Sequence, residues 1–138
     1  MKREILFRGK KIENGEWVYG RGLQQCKDEL GNEIVAIFTD VVKSEKYIKK
    51  EGRYTLYYAP VKAETLGQYT GLKDKNGVKI FEGDIISIGD PNIKYIIMWR
   101  NDGFCAKQIG ASSYIGLTYW ASDIEVLGNV IDNPELIK

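Results

Sequence analysis

The residues best suited to chemistry are the basic and aromatic side chains between Lys43 and Tyr54. This segment carries five basic residues, two acidic residues and two tyrosines. Basic side chains neutralise phosphates and tyrosines stack on bases, so the combination is typical of surfaces that bind single-stranded nucleic acid. The side chains that would form such a site are Lys43, Lys46, Tyr47, Lys49, Lys50 and Arg53. A solvated loop, or a sheet edge protected by lysines, explains the same composition. We favour that interpretation because the net charge of the chain is only +1.

Two pairs of carboxylates offer a second kind of chemistry, acid–base catalysis. Glu82 and Asp84 are two residues apart, as are Asp123 and Glu125, and residues at this spacing on a strand share one face. Two neighbouring carboxylates raise the pKa of one of them. Acidic residues next to turns are more often solvated or bound to backbone N–H groups, and the sequence offers no further group that would complete a reaction. We therefore predict a protein that is not an enzyme.

Composition excludes several classes of site. The chain has no histidine, which rules out a Ser-His-Asp triad, a histidine base and any histidine-ligated metal. Its two cysteines, Cys26 and Cys105, lack the paired spacing of a zinc site or a disulfide framework. No glycine-rich phosphate loop and no acidic cluster with metal-ligand spacing is present. We predict no catalytic residues, no cofactor and no metal.

The aromatic content favours an interaction surface. Nine tyrosines and three tryptophans are many for a chain of 138 residues, and both types recur at interfaces. The aromatic residues that would supply an exposed surface are Tyr54, Tyr57, Tyr58, Tyr114, Tyr119 and Trp120. Filling of a hydrophobic core explains them equally well. Together with unpaired strand edges, they lead us to expect a homo-oligomer with an interface above about 1,000 Å².

Short apolar runs between turn residues predict an all-β chain with little helix. Asn14-Gly15 and Asn76-Gly77 are typical of two-residue hairpin turns of type I′, and a third turn is predicted at residues 30–33. A strand over residues 53–58 is expected to stop before Pro60, and residues 89–92 are rich in loop formers. Asn133-Pro134 predicts one helical turn at the C-terminal end.

These elements are expected to form two lobes. The strand pattern pauses between Pro60 and Thr65, which predicts an N-terminal β lobe over residues 1–64 and a second lobe over residues 65–138. Gly83-Asp84 comes directly before an apolar strand that is followed by several short strands. This arrangement is typical of a small SH3-like barrel. We therefore predict that the second lobe is such a barrel, packed with the first lobe as one unit.

Three segments of the chain resemble a known family. The segment Gln68–Ile86, read as Gln-Tyr-Thr-Gly-Leu-Lys-Asp-Lys-Asn-Gly-Val-Lys-Ile-Phe-Glu-Gly-Asp-Ile-Ile, is similar to the signature of the YopX family, small proteins encoded by bacteriophages and prophages. Residues Arg3–Arg8 and Val126–Leu136 agree with the same family. The resemblance implies a mostly β protein of phage or prophage origin, and it carries over no activity and no functional residue.

These observations lead to two functional hypotheses. The first is a phage accessory protein that is not an enzyme and that binds a host protein, a phage protein or copies of itself. The second is a nucleic-acid-binding protein of phage replication or lysogeny. The first residues lack the apolar stretch of a secretory signal, and no window approaches the length of a membrane span. We therefore expect a cytoplasmic protein of the bacterial host cell with no membrane partner.

Overall fold

The structure is a computed structural model that describes the backbone of residues 3–42 and 55–138 and the side chains of residues 3–39 and 58–138. These residues form twelve β-strands and three short 3₁₀ segments, and every strand pair is antiparallel. The prediction of an all-β chain with little helix is therefore confirmed. The chain divides into two compact units, which we call the N-terminal unit (residues 5–66) and the C-terminal unit (residues 67–138 with residues 3 and 4).

The N-terminal unit contains two antiparallel arrangements of strands. Strands β1 and β2 form a hairpin, and strands β3, β4 and β5 form a sheet with β4 in the centre. The five strands are β1 Phe7–Lys10, β2 Trp17–Gly20, β3 Gly22–Lys27, β4 Glu33–Val42 and β5 Thr55–Val61. Val35, Ile37 and Val61 form the buried core of this unit. A 3₁₀ segment, Ala63–Thr65, follows β5.

The C-terminal unit holds a hairpin and a five-stranded sheet. Its strands are β6 Gly67–Lys73, β7 Lys79–Phe81, β8 Asp84–Ile88, β9 Asp90–Arg100, β10 Gly103–Gln108, β11 Tyr114–Ile115 and β12 Ile124–Asn129. Strands β6 and β7 pair with each other, and the other five form a sheet in the order β11-β10-β9-β8-β12. The 3₁₀ segments are Thr118–Asp123 and Pro134–Ile137, the second where one helical turn was predicted. The core contains Ile80, Ile86, Ile97, Ala106, Leu117 and Ile124.

The five-stranded sheet is open, whereas the sequence predicted a closed SH3-like barrel. Its order leaves β11 at one end and β12 at the other, and within the described residues these two strands do not pair. Strand β11 has only two residues. On the far side of β12, backbone groups bind a hairpin tip instead of a strand, because Lys75 N–H donates to the carbonyl of Ile124 at 2.9 Å. The five strands therefore form an open sheet and not a closed barrel.

Both Asn-Gly pairs lie in hairpin loops, but neither forms the predicted type I′ turn. Such a turn requires positive φ at both central residues. Gly15 and Gly77 have φ of 71° and 81°, but Asn101 is the one non-glycine residue with positive φ in the described part of the chain. The loop at Gly15 is longer, because Lys11 bonds to Glu16 across it.

Two hairpin tips share the same five-residue design. We call them the Asp28 tip (residues 28–32, Asp-Glu-Leu-Gly-Asn) and the Asp74 tip (residues 74–78, Asp-Lys-Asn-Gly-Val). In each tip the glycine N–H donates to the aspartate carbonyl at 3.0 Å, and the glycine has φ above 80°. This pattern is a type I turn followed by a glycine bulge. One oxygen of each aspartate side chain also accepts two backbone N–H bonds from within its own tip.

These bonds lower the pKa of both aspartates. The pKa of Asp28 lies below its ordinary value, chiefly because the backbone N–H of Asn32 binds its carboxylate. At Asp74, burial is the largest single influence and raises the pKa. The backbone N–H groups of Val126, Val78 and Asn76, together with the charge of Lys75, outweigh it and lower the pKa overall.

Two strand ends also differ from the sequence prediction. Strand β5 continues through Pro60, whose carbonyl accepts a bond from Ile12 N–H at 3.0 Å. The predicted loop over residues 89–92 is a one-residue kink at Gly89, and β9 begins at Asp90. Gly89 has φ of 87°, which lets the chain reverse without a longer loop.

Candidate functional site

The basic segment singled out by the sequence lies outside the described residues. This holds for all six side chains of the predicted nucleic acid site, namely Lys43, Lys46, Tyr47, Lys49, Lys50 and Arg53. The side chains of Tyr54 and Tyr57 also lie outside the description. The nucleic acid hypothesis for this segment stays a prediction.

Glu82 and Asp84 of the first carboxylate pair each bind a backbone N–H group, and Glu125 of the second pair binds a lysine. Glu82 Oε1 accepts from Gln68 N–H at 3.1 Å, and the buried Asp84 accepts from Phe81 N–H at 2.7 Å. Glu125 forms an ion pair with Lys75 at 3.4 Å. These contacts are the turn and register roles that carboxylates have in small β proteins. Within the described ranges, no group of three or more Cys, Asp or Glu side chains is arranged to hold a metal ion.

Exposed aromatic side chains gather at the end of the β9–β10 hairpin. A two-residue loop, Asn101-Asp102, joins the strands, and the positive φ of Asn101 at the first central position is typical of a type II′ turn. Trp99 precedes the loop and Phe104 follows it as its cross-strand partner. Their rings meet edge to face with centroids 4.9 Å apart, and Trp99 remains 50% exposed. The indole N–H donates to the carbonyl of Asn101 at 3.2 Å, which fixes the ring against the turn.

A cation and a third aromatic ring lie beside this pair. The guanidinium carbon of Arg100 is 3.9 Å from the ring centroid of Tyr114, which belongs to the edge strand β11. Such stacking is favourable and orders an otherwise flexible arginine. Trp99 and Arg100 are consecutive strand residues, so their side chains leave opposite faces of the sheet. We call the four side chains Trp99, Arg100, Phe104 and Tyr114 the hairpin patch.

Three side chains of the hairpin patch, Arg100, Phe104 and Tyr114, line a concavity of about 280 Å³. It is lined by residues 100–105 of the hairpin and residues 114–116 of the neighbouring segment. The concavity exists because β11 pairs only with Ala106 and Lys107, which leaves the first half of β10 without a neighbour on that side among the described residues. Gln108 N–H donates toward β11, to Ser113, and backbone groups alternate in direction along a strand. The N–H and C=O of Phe104 therefore point into the concavity.

The outer face of the same sheet is basic. The cross-strand pairing places Lys94, Arg100, Lys107 and Tyr114 on one face. At the strand positions of this face, from Lys94 to Arg100 on β9 and along β10 and β11, no acidic residue occurs. None of the three cations forms an ion pair within the described residues. The part of this face formed by β9, β10 and β11 therefore carries uncompensated positive charge next to an aromatic ring, whereas Glu125 on β12 pairs with Lys75.

A larger groove, of about 530 Å³, lies in the N-terminal unit. Its lining includes the exposed side chains of Ile12 and Tyr58, and both a lysine, Lys11, and a glutamate, Glu13. The groove is thus a mixed polar surface without a concentration of one residue type. The hairpin patch differs because tryptophan, tyrosine and arginine, the residues that dominate binding energy at interfaces, occur together there.

The sequence indicated only part of the hairpin patch. Tyr114 was among the aromatic residues expected at a surface, whereas Trp99, Arg100 and Phe104 were not. The signal was available in the segment Trp-Arg-Asn-Asp-Gly-Phe, where turn residues separate two aromatic residues. A tight turn there makes the rings cross-strand partners. In the part of the chain that the structure describes, no helix is long and apolar enough to span a membrane.

Comparison with known proteins places these features in a family. No curated protein matches the sequence. The crystal structure of protein EF1440 from Enterococcus faecalis is similar, with a TM-score of 0.62 and 25% sequence identity, and the alignment covers 97% of this chain and 98% of that one. The model of the YopX protein family matches residues 6–138, nearly the whole chain. The β architecture, the Asp74 tip within the signature segment and this match together show that the protein belongs to the YopX family.

Proposed function

We propose that this YopX family protein is a phage or prophage accessory module that binds another protein, encoded by the phage or its host, through the hairpin patch. It acts in the cytoplasm of the bacterial cell and is not an enzyme. The observation that carries the proposal is the Arg100–Tyr114 stack at the rim of one concavity, together with the half-exposed Trp99, which packs on Phe104 in the lining of that concavity.

The chemistry of the patch suits a protein partner. Tryptophan, tyrosine and arginine are the residues most enriched among binding hot spots, and they contribute most when a rim of other contacts excludes water from them. Trp99 and Tyr114 are held by ring and hydrogen-bond contacts before any partner arrives. Binding therefore loses little side-chain entropy.

The open part of β10 adds a backbone element to this surface. The N–H and C=O of Phe104 face the concavity, so an extended segment of a partner can bond to them as a short additional strand. The rings of the patch then flank the added segment. This mode of binding uses main-chain bonds for affinity and the aromatic side chains for selectivity.

An affinity capture experiment tests the proposal. Wild-type protein, a patch variant (Arg100→Ser with Tyr114→Ser) and a matched control (Lys73→Ser with Tyr119→Ser) are immobilised and exposed to lysate of phage-infected cells treated with nuclease. The control also loses one cation and one exposed tyrosine, but outside the patch. We expect the wild type and the control to retain the same protein, and the patch variant to lose it at an unchanged melting temperature. Equal retention by all three contradicts the proposal.

The basic outer face supports a second candidate, binding of single-stranded nucleic acid. Lys94, Lys107 and Arg100 would contact phosphates, and Tyr114 would stack on a base. If so, affinity for oligonucleotides falls with salt, with a slope of about −0.7 per neutralised phosphate. Changing Lys94 and Lys107 to glutamate then abolishes binding. The same titration with Lys46, Lys49 and Lys50 changed to glutamate tests the basic segment. If the wild type does not bind oligonucleotides at low salt, neither the basic outer face nor the basic segment is a nucleic acid site.

A further inference from the structure

The outer edge of β3 is longer than the open part of β10. All six residues of β3 pair with β4 in one unbroken register, so the strand contains neither a bulge nor a proline. Within residues 3–42 and 55–138, no strand pairs with its other side. A regular, exposed edge of this length is a template for pairing with another chain.

Three of the other edges are blocked or very short. On the outer side of β5, Lys11 bridges to Val61 and Ile12 binds the carbonyl of Pro60. The outer side of β12 binds the Asp74 tip and is interrupted by a bulge. Strand β11 is two residues long. Edge protection of these kinds is how β proteins avoid unwanted association, and β3 lacks it.

The direction of the backbone groups along β3 follows from the Asp28 tip. Asp28 N–H donates to the carbonyl of Asn32, so this pair is hydrogen bonded. In an antiparallel pair, bonded and non-bonded positions alternate. Gln24 and Cys26 therefore bond to β4, whereas the N–H and C=O of Leu23, Gln25 and Lys27 point outward from the sheet.

We propose that β3 pairs with β3 of a second copy of this chain, antiparallel, about a twofold axis at Gln25. Only a register centred on Gln25 pairs all three outward residues, with Leu23 opposite Lys27 of the other copy and Gln25 opposite itself. Shifting the centre to Gln24 or to Cys26 leaves at least one outward residue of each strand without a partner. The two three-stranded sheets then become one sheet of six strands. This inference concerns the N-terminal unit and does not depend on the hairpin patch.

Charge complementarity favours a second copy of the chain as the partner of β3, in the antiparallel orientation. Strand β3 begins next to the basic Arg21 and ends at the Asp28 tip, which carries Asp28 and Glu29. Antiparallel pairing brings Arg21 of each copy beside the acidic tip of the other copy. Parallel pairing would place like charges together, which is unfavourable. The self-pairing is therefore electrostatically matched at both ends.

The strength of this association follows from its size. A pair of six-residue strands buries less surface than the roughly 1,200–2,000 Å² of a standard interface. We therefore expect a reversible equilibrium between monomer and dimer that shifts with protein concentration, and not a permanent dimer.

Sedimentation velocity over a wide concentration range tests the proposal. We expect the wild type to shift from monomer to dimer, and Gln25→Pro to stay monomeric, because proline removes an outward N–H that β4 does not use. Arg21→Glu and Glu29→Arg, which do not alter the backbone, should each weaken the dimer, and the double variant should restore it. A wild type that is monomeric at every concentration, or charge variants that dimerise like the wild type, would overturn the proposal.

Cross-linking tests the register. In the proposed dimer, Gln24 lies opposite Cys26 of the other copy in a non-bonded pair, where the Cα atoms are about 4.5 Å apart. This distance is compatible with a disulfide. In a Cys105→Ser background, Gln24→Cys should form a covalent dimer on mild oxidation. The matched control, which also carries Cys26→Ser, should not. Equal cross-linking of both chains would show that the register is wrong.

Discussion

The Asp28 tip and the Asp74 tip have the same turn but different surroundings. In both, one aspartate oxygen binds two backbone N–H groups of the tip. The second oxygen of Asp28 accepts a bond from the side chain of Asn32, four residues away, at 3.2 Å. The second oxygen of Asp74 accepts a bond from Val126 N–H, 52 residues away, at 3.0 Å. The same turn, with aspartate three residues before glycine, therefore makes a free hairpin end in one unit and a tertiary link in the other.

This difference decides what happens at two sheet edges. The Asp74 tip covers β12, because Val126 N–H and the carbonyl of Ile124 both bind to it. The Asp28 tip makes its bonds within itself, and the strand that leads into it, β3, keeps an open edge. A turn built for a hairpin thus also serves as an edge cap where the fold brings a neighbouring strand within reach.

The largest expected effect comes from removing the aspartates. Asp74→Ala leaves three backbone N–H groups without their acceptor at a buried position, so we expect a loss of about 2–4 kcal/mol in the free energy of unfolding. Asp28→Ala, the matched control, should cost much less, because water replaces the lost bonds at an exposed tip. Urea denaturation measures both. Equal losses would show that the link to Val126 contributes nothing.

The two glycines should behave alike, in contrast to the aspartates. Gly31 and Gly77 both have positive φ, and a Cβ at either position meets no atom within 4 Å. Only backbone strain opposes a side chain there, so Gly31→Val and Gly77→Val should each destabilise the protein by about 1–3 kcal/mol. Thermal melts of the two variants provide the comparison. A melting temperature equal to that of the wild type in either variant would contradict the turn geometry.

Acid should remove the stabilisation that the ionised Asp74 carboxylate provides. Its pKa is lower in the folded protein than the value of about 3.9 expected when unfolded. A lowered pKa contributes stability above the unfolded value, and this contribution is lost as the pH falls through the folded one. The difference in unfolding free energy between wild type and Asp74→Asn should thus be constant near neutral pH and shrink below about pH 4. A difference that persists unchanged to pH 2 would show that Asp74 is not the titrating group.

The smallest expected effect concerns the surface contact that accompanies the Asp74 tip. Lys75 and Glu125 form an ion pair at 3.4 Å with side chains 46% and 41% exposed. Exposed pairs of this kind contribute about 0–1 kcal/mol and are screened by salt. A double-mutant cycle with Lys75→Gln and Glu125→Gln should give a coupling energy in that range that vanishes at high salt. A larger coupling would mean that the ion pair, and not Asp74, holds the tip on β12.

Much of the fold was predictable because it depends on local rules. Alternating apolar residues and turn formers indicated the strands and the all-β class, and the signature segment Gln68–Ile86 indicated the family. The turn types were wrong because Asn-Gly pairs occur in longer loops as well as in type I′ turns, and the preceding Asp74 selects the longer loop. The hairpin patch was mostly missed, because its stacking of Arg100 on Tyr114 joins strands whose pairing the sequence does not specify.

Local sequence accounts for most of the turns and extended segments of this chain. Asp28 and Asp74, each three residues before a glycine, produce the same turn because the bonds involved lie within five residues. The tertiary fold, in contrast, sets the bond from Val126 to Asp74, the open five-stranded sheet and the lack of a strand on the outer side of β3 among the described residues. The reason is that local bonds are selected by residue type and spacing. Pairing between distant strands depends on the packing of the whole unit, to which many alternating segments are equally suited.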